Sequence, residues 1–301
     1  MVTTPTFLLN NGLAIPAVGL GTWQSNADEI SAAVEYALRH GYRHIDTALN
    51  YGNERAVGEG LRASGVPRED VWITTKLDNP WHHRVAEGFE RSITDLGLDY
   101  IDLYLVHFPC ATDPDDPSKT VADWDIVKTW ECMQKLLETG RVRSIGVSNF
   151  QIEHLETLLA APSCKVVPAV NQIELHPSNP SPKLLAYCKS KGIHCTAYSC
   201  LGGTVGSPIN TSGALFDEPA LLGVAKATGK SPQQVALKWG VQRGTSVIPK
   251  SVTPARIAAN FALQGWDLTP EQMAQCDSVT TRYKVVQDGW MPIRVFSGSD
   301  E

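Results

Sequence analysis

The 301-residue chain contains no Cys-x-x-Cys pair, although it carries seven cysteines, Cys110, Cys132, Cys164, Cys188, Cys195, Cys200 and Cys276. An odd, scattered set of this kind argues against a disulfide framework or a thiolate zinc site. It reads as reduced, mostly buried thiols in a cytoplasmic protein. His82-His83 and Glu174-Leu175-His176 supply no third ligand at zinc spacing, so no metal is expected. No apolar run approaches the roughly 18 residues of a membrane span, and Met1-Val2-Thr3-Thr4-Pro5-Thr6 has neither the basic start nor the apolar stretch of a leader. A basic excess is missing too. The formal charge of −6 argues against a nucleic-acid or anionic-membrane partner and leaves room only for local positive pockets. Finally, no Gly-x-Gly-x-x-Gly opens a strand–helix unit, and Gly19-Leu20-Gly21 is too short to replace one, which argues against the doubly wound mode of dinucleotide binding.

What the chain does have is rhythm. Short apolar runs at 18–21, 44–48, 71–76, 101–107, 144–148, 169–175, 194–199 and 247–251 alternate with stretches of helical period at 27–39, 53–63, 83–96, 125–139, 152–159, 182–190, 219–227 with 232–242, and 254–261. Near-continuous apolar runs suit strands covered on both faces. Gly41, Gly97, Gly140, Gly192 and Gly229 follow helical segments as left-handed stops. Ser181-Pro182, Ser231-Pro232 and Thr253-Pro254 read as N-caps followed by first-turn prolines. Eight strands each followed by a helix, with no break in composition, predict one domain over residues 1–301, an α/β fold of the (β/α)8 barrel type. Around Asn11-Gly12, segments 6–9 and 13–15 read as a hairpin placed to plug the barrel bottom. The Asp/Pro-rich segment 108–124 and the tail after Thr281, with Trp290, Met291 and Phe296, are expected to fold over the mouth.

The strand ends hold the candidate chemistry. Gly41-Tyr42-Arg43-His44-Ile45-Asp46-Thr47-Ala48-Leu49-Asn50-Tyr51 sets an acid and a phenol five positions apart, Ile73-Thr74-Thr75-Lys76 ends on a lysine, and Ile101-Asp102-Leu103-Tyr104-Leu105-Val106-His107 ends on a histidine. A parallel barrel gathers such residues in one mouth. Each has a plainer reading: Asp46 as a turn residue, Tyr51 as a packing ring with a wet hydroxyl, Lys76 as a solvated strand end, His107 as a satisfied core imidazole.

These motifs resemble the aldo-keto reductase family over essentially the whole chain. The matching pieces stand in order: Gly19-Leu20-Gly21-Thr22-Trp23, the Gly41-to-Tyr51 stretch, Thr75-Lys76, Leu103-Tyr104-Leu105-Val106-His107, Gly146-Val147-Ser148-Asn149-Phe150, Asn171-Gln172-Ile173-Glu174-Leu175-His176-Pro177, Ala197-Tyr198-Ser199, and Ile248-Pro249-Lys250-Ser251-Val252-Thr253. Through Asp123-Trp124-Asp125-Ile126-Val127-Lys128-Thr129-Trp130-Glu131 the chain is most similar to the fungal glycerol dehydrogenase and aldehyde reductase branch. The resemblance implies reduction of aldehydes or ketones with NADPH by a cytoplasmic monomer, reversible on an alcohol, with a small carbonyl or alcohol as its partner.

Carbonyl reduction needs a hydride on carbon, which a cofactor supplies, and a proton on oxygen, which the protein supplies. Tyr51 is the expected donor, made a better acid by the Lys76 cation, which Asp46 holds charged and aimed. His107 is implied to orient the carbonyl. The family pattern assigns Ser148, Asn149 and Gln172 to the nicotinamide carboxamide and Tyr198 to stacking on its ring. Gly21, Thr22, Trp23, Asp46, Ser199 and Leu201 complete that end. Lys250, Ser251, Val252, Thr253, Arg256 and Asn260, at a helix start, form an anion site that suits the 2′-phosphate of NADP. Trp23, Tyr51, His107, Phe108, Trp124 and Trp290 are expected to wall the substrate pocket.

Four positions depart from the family pattern. Asp78 stands where a tryptophan is common, with Trp81 further on, and Phe108 stands where many members have tryptophan. Cys200 replaces a proline, and Ala259 replaces an acidic or amide residue. A nicotinamide-binding redox-sensing subunit with little turnover is the alternative on the same scaffold, and a metal-dependent hydrolase is a second.

Overall fold

The computed structural model describes residues 5–203 and 214–296, so Met1 to Thr4, read above for a leader, lies outside the described residues. In chain order the strands are β1 (Thr6–Leu8), β2 (Ala14–Pro16), β3 (Leu20–Gly21), β4 (His44–Asp46), β5 (Trp72–Leu77), β6 (Leu103–Val106), β7 (Ile145–Ser148), β8 (Val170–Glu174), β9 (His194–Tyr198) and β10 (Ser246–Val247). The helices are α1 (Ala27–Arg39), α2 (Glu54–Ser64), α3 (Val85–Leu96), α4 (Ile126–Glu138), α5 (Ile152–Ala160), α6 (Pro182–Ser190), α7 (Ala214–Asp217), α8 (Pro219–Thr228), α9 (Pro232–Gln242), α10 (Pro254–Phe261) and α11 (Pro270–Asp277).

Strands β3 to β10 pair in parallel in sequence order. Parallel bridges Val18↔Val247 and Gly21↔Lys250 join the two ends, with Gly19 N–H donating to the Val247 carbonyl at 2.9 Å, so the sheet curls round into a (β/α)8 barrel. The β1–β2 hairpin pairs Phe7 with Ile15 and turns at Asn11-Gly12, where the Asn11 carboxamide oxygen accepts Leu13 N–H at 3.2 Å. Leu9 and Ile15 join Trp72, Leu103, Leu105, Ala169 and Val170 in one apolar cluster. The hairpin therefore plugs the barrel bottom, as the Asn-Gly signal predicts.

The capping residues divide. All five expected glycine stops have positive φ. Ser231 caps α9 through its side chain, with Gln234 returning the bond to complete a capping box. Ser181 instead sits at φ 41° without a side-chain cap, and Thr253 also makes none. Helix α11 was not expected, although Thr269-Pro270 with Gln272 forms the same kind of capping box. Asp78, the departure from the family pattern, caps the 3-10 turn Asn79–Arg84 by accepting Asn79 N–H. Segment 108–124 is less of a cover than expected. A bridge between Thr112 and Thr120 folds it on itself, and Phe108 alone of its residues reaches the large cleft at the mouth.

Candidate active site

The carboxyl ends of the strands open into a cleft of about 1250 Å³, above the roughly 300–1,000 Å³ of an ordinary small-molecule pocket, which leaves room for a cofactor and a substrate together. Asp46 is the last residue of β4, Lys76 the penultimate residue of β5, Ser148 the last of β7 and Tyr198 the last of β9. His107 directly follows β6, and Tyr51 ends a 3-10 turn, Leu49–Tyr51, that follows β4. Parallel strands in register thus bring five separate sequence motifs to one rim.

The Lys76 ammonium is completely buried and has three acceptors: Asp46 Oδ1 at 2.6 Å, the Thr47 carbonyl at 2.8 Å and Tyr51 Oη at 3.1 Å. An ammonium has three N–H bonds and accepts none, so its hydrogen bonding is saturated and its aim fixed. Because Tyr51 Oη accepts from Lys76, its own O–H is left to donate elsewhere. Burial pulls the Lys76 pKa down, but the Asp46 carboxylate and the Tyr51 oxygen together raise it above its ordinary value, so the ammonium stays charged. Burial pushes Asp46 up against the pull of Lys76 and Gln172.

Tyr51 corrects one expectation. Burial, with Asp46 adding to it, pushes the phenol above its ordinary value, and the downward pull of Lys76 does not reverse this. The cation does not leave the resting phenol a stronger acid than a free one. It keeps the phenol protonated beside a charge ready to stabilise the phenolate once the proton has left. The His107 ring lies edge-on to Tyr51, with centroids 5.7 Å apart. Burial first, then Lys76 and His82, holds its pKa well below the ordinary imidazole value. His107 is therefore a neutral ring suited to hydrogen bonding rather than to acid catalysis.

Every residue proposed for the cofactor, from Gly21 through Asn260, lines the cleft. At the inner end Gln172 donates its amide N–H to Asp46 Oδ2 at 2.6 Å. A carboxylate acceptor fixes which way this amide faces, and its carbonyl oxygen bonds no other described residue. Asn149 is more fully engaged than expected: it donates to the His107 carbonyl at 2.9 Å and accepts the Tyr198 hydroxyl at 2.6 Å. Those bonds fasten the Tyr198 ring as a half-buried wall. Three of the cleft residues, Gln24, Asn149 and Ser199, have positive φ although none is glycine, a local strain of about 1–3 kcal/mol each that tends to gather at working sites.

At the outer end Lys250 and Arg256 are exposed beside the start of α10, and Lys250 Nζ reaches across to the Gln24 carbonyl at 3.3 Å. Neutral amides and an aromatic face at one end, with cations and a helix start at the other, match a molecule carrying an uncharged amide at one end and phosphate at the other. The residues present thus fit a nicotinamide dinucleotide phosphate.

Of the expected substrate walls, Trp23, Tyr51, His107, Phe108 and Trp290 line the cleft. Trp290 meets Phe108 edge-on with centroids 5.4 Å apart, so the tail reaches the mouth as anticipated. Trp124 is not among the lining residues. Its indole N–H is drawn instead to Thr129 Oγ1 at 2.9 Å, and its ring faces His83. Sequence reasoning missed Gln24, Asn50, Gln233, Val285, Val286 and Gln287, all in the lining. Asn50 lay inside the quoted motif and was there to be found, whereas nothing local marks Val285.

A parallel barrel with a saturated Asp–Lys–Tyr relay and a neutral histidine at its mouth defines a carbonyl–alcohol oxidoreductase. Residues 17–281 match the aldo/keto reductase family. Curated relatives include the glycerol 2-dehydrogenase (NADP(+)) of Saccharomyces cerevisiae, 42% identical over 98% of this chain and 97% of that protein. Another is the D-galacturonate reductase of Hypocrea jecorina, 49% identical over 91% and 89%. The aldose reductase of Schistosoma japonicum superposes with a TM-score of 0.86 at 35% identity, covering 95% of this chain and 96% of that one. The chain belongs to the aldo/keto reductase family.

Proposed function

We propose that this enzyme reduces aldehydes and ketones to alcohols with NADPH, that Tyr51 donates the proton, and that the observation carrying the assignment is the Lys76 ammonium bonded at once to Asp46, Thr47 and Tyr51. A reduced nicotinamide held in the cleft would supply the hydride for the carbonyl carbon. Gln172, Ser148 and Asn149 would hold its carboxamide, the Tyr198 ring its face, and Lys250, Arg256 and Asn260 its adenosine-side phosphate. His107 hydrogen-bonds the carbonyl oxygen and orients it. Tyr51 gives that oxygen its proton, and Lys76, kept charged by Asp46, stabilises the phenolate left behind. Run backwards, the same phenolate takes a proton from an alcohol.

The relay's saturation weighs against a sensing subunit, which has no use for a held, charged lysine behind a phenol. No group of three or more candidate metal ligands occurs among the described residues. The relatives named for glycerol and for galacturonate make polyol-derived carbonyls the first substrates to try. The cysteines stand as thiols rather than disulfides, which supports a cytoplasmic setting, and the reading keeps a single-domain monomer. A panel of glyceraldehyde, other aldehydes, ketones and sugar acids followed by NADPH absorbance tests it: consumption with at least one carbonyl is expected, and none across the panel overturns it.

A further inference from the structure

Glu174-Leu175-His176, the cluster that failed as a zinc site, has no part in the relay, yet Glu174 is fully buried at the mouth end of β8, its side chain wholly inaccessible. A carboxylate there needs partners. It accepts Val285 N–H at 2.6 Å and Val286 N–H at 2.8 Å, both from the tail 111 and 112 residues away. His176 Nε2 lies 3.0 Å from the same carboxylate and, since a carboxylate only accepts, it donates. Val285 and Val286 both line the cleft.

The tail so held is also fitted to the loop after β9. Tyr283 O–H donates to the Gly202 carbonyl at 3.3 Å, and its ring lies over His176 with centroids 5.0 Å apart. A Cβ on Gly202 would stand 2.4 Å from the Tyr283 oxygen, and one on Gly203 2.8 Å from Val285 Cγ1. A side chain at either glycine would crowd the tail, so tail and loop pack directly against each other there.

We propose that Glu174 is a positioning residue for substrate selection: its carboxylate pegs the tail at Val285 and Val286, holding the tail wall of the cleft and the loop at Gly202 and Gly203 as one body. The selection half of this statement rests on the carbonyl-reductase reading; the peg itself does not.

Amide hydrogen exchange on the full chain, without and with NADPH, tests the peg in Glu174→Gln and in Val285→Pro, which removes one donor and leaves the carboxylate. Each variant is expected to lose about 10-fold or more protection across residues 283–291, with β4 and β5 unchanged, as losing charge-assisted bonds implies. The two together should add little to either alone. In turnover, KM for the carbonyl should rise by about 10-fold with kcat nearly held, the mark of lost substrate positioning. Unchanged tail exchange overturns the proposal. So does loosening spread evenly over the barrel strands, or a fall in kcat at constant KM. Exchange needs no turnover, so a parent inert toward every carbonyl refutes the activity without touching the peg, and an unpegged tail refutes the peg without touching the activity.

Discussion

The two ends of the cleft use the same kinds of charge under opposite conditions. The Lys76 and Asp46 side chains are 1% and 2% exposed, whereas Lys250 and Arg256 stand in solvent. Burying an ion pair costs several kcal/mol per charge and leaves its field little screened, so each partner must be saturated. The inner end does this within the protein and is complete before anything binds. The outer end leaves its cations to be completed by a ligand. Rate should therefore be set at one end and cofactor choice at the other, and substitutions should separate the two.

The largest separation should come from Tyr51→Phe, which keeps the ring and removes the proposed acid. Turnover is expected to fall by at least about 10²-fold, the usual weight of a general acid, while tryptophan-quenching titration shows NADPH binding retained. Near-normal turnover would remove Tyr51 from the mechanism. The same residue sets the pH profile. Its pKa is pushed above the ordinary phenol value by burial, and reduction needs the protonated form, so kcat/KM for reduction should be flat from about pH 6 to 9 and decline only above that range. His107, held far below its ordinary value by burial, adds no step near neutrality. Alcohol oxidation needs the phenolate and should climb with pH. A reduction profile that breaks near pH 6.5 would assign the proton to His107 instead.

Lys76→Met comes next and tests whether the inner end is a unit. It leaves Asp46 buried without its cation, a loss of about 3–5 kcal/mol for a broken buried pair, so thermal melting should drop along with turnover. Asp46→Asn should act in the same direction. In both, NADPH affinity should change far less than rate. A chelator should leave the parent unaffected, and activity lost in chelator and restored by zinc would point to hydrolase-type metal chemistry instead.

How much of this was legible beforehand depended on whether the information was local. Helices 27–39, 182–190, 232–242 and 254–261 have their expected bounds; a first-turn proline marks the start of the last three, and Gly41 marks the stop of the first. Helix α11 carries the same Thr-Pro signal but lies beyond the eighth strand–helix repeat, where the barrel pattern calls for no further helix. The last strand ended early, at Val247, because Pro249 has no N–H for a ladder and the chain turns into the cleft there. Asp46, Tyr51, Lys76 and His107 could be read because each lies at, or within a few residues of, the carboxyl end of a barrel strand. The direction of the Tyr51 shift could not, since desolvation depends on what surrounds the ring. Trp124 was misplaced because Thr129 competes for its indole N–H, and the role of Glu174 lies in a partner 111 residues along the chain.

Arg256→Ala carries the comparison to the outer end. NADPH and NADH differ only by the phosphate that Lys250 and Arg256 are proposed to bracket. Losing a charge-assisted hydrogen bond worth roughly 1.5–3 kcal/mol should weaken NADPH about 10- to 100-fold and leave NADH little changed, with kcat at saturating cofactor held. Equal weakening of both, or a parent that binds NADH as tightly as NADPH, would return these two residues to being surface charges.

Salt should give the smallest effect and the sharpest contrast. At 0.1 M ionic strength charges in solvent are screened beyond roughly 10 Å, and at 1 M beyond roughly 3 Å, while buried pairs hardly respond. Across that range the Kd for NADPH should rise several-fold, because Lys250 and Arg256 meet their phosphate in water. Saturated kcat should stay level, because the Lys76–Asp46 contact at 2.6 Å sits where mobile ions do not reach. The Kd for NADH should rise less, since it lacks the phosphate these side chains address, and Arg256→Ala should flatten the NADPH slope toward it. If kcat falls with salt while Kd does not, rate depends on the exposed end and the division of labour between the two ends is reversed.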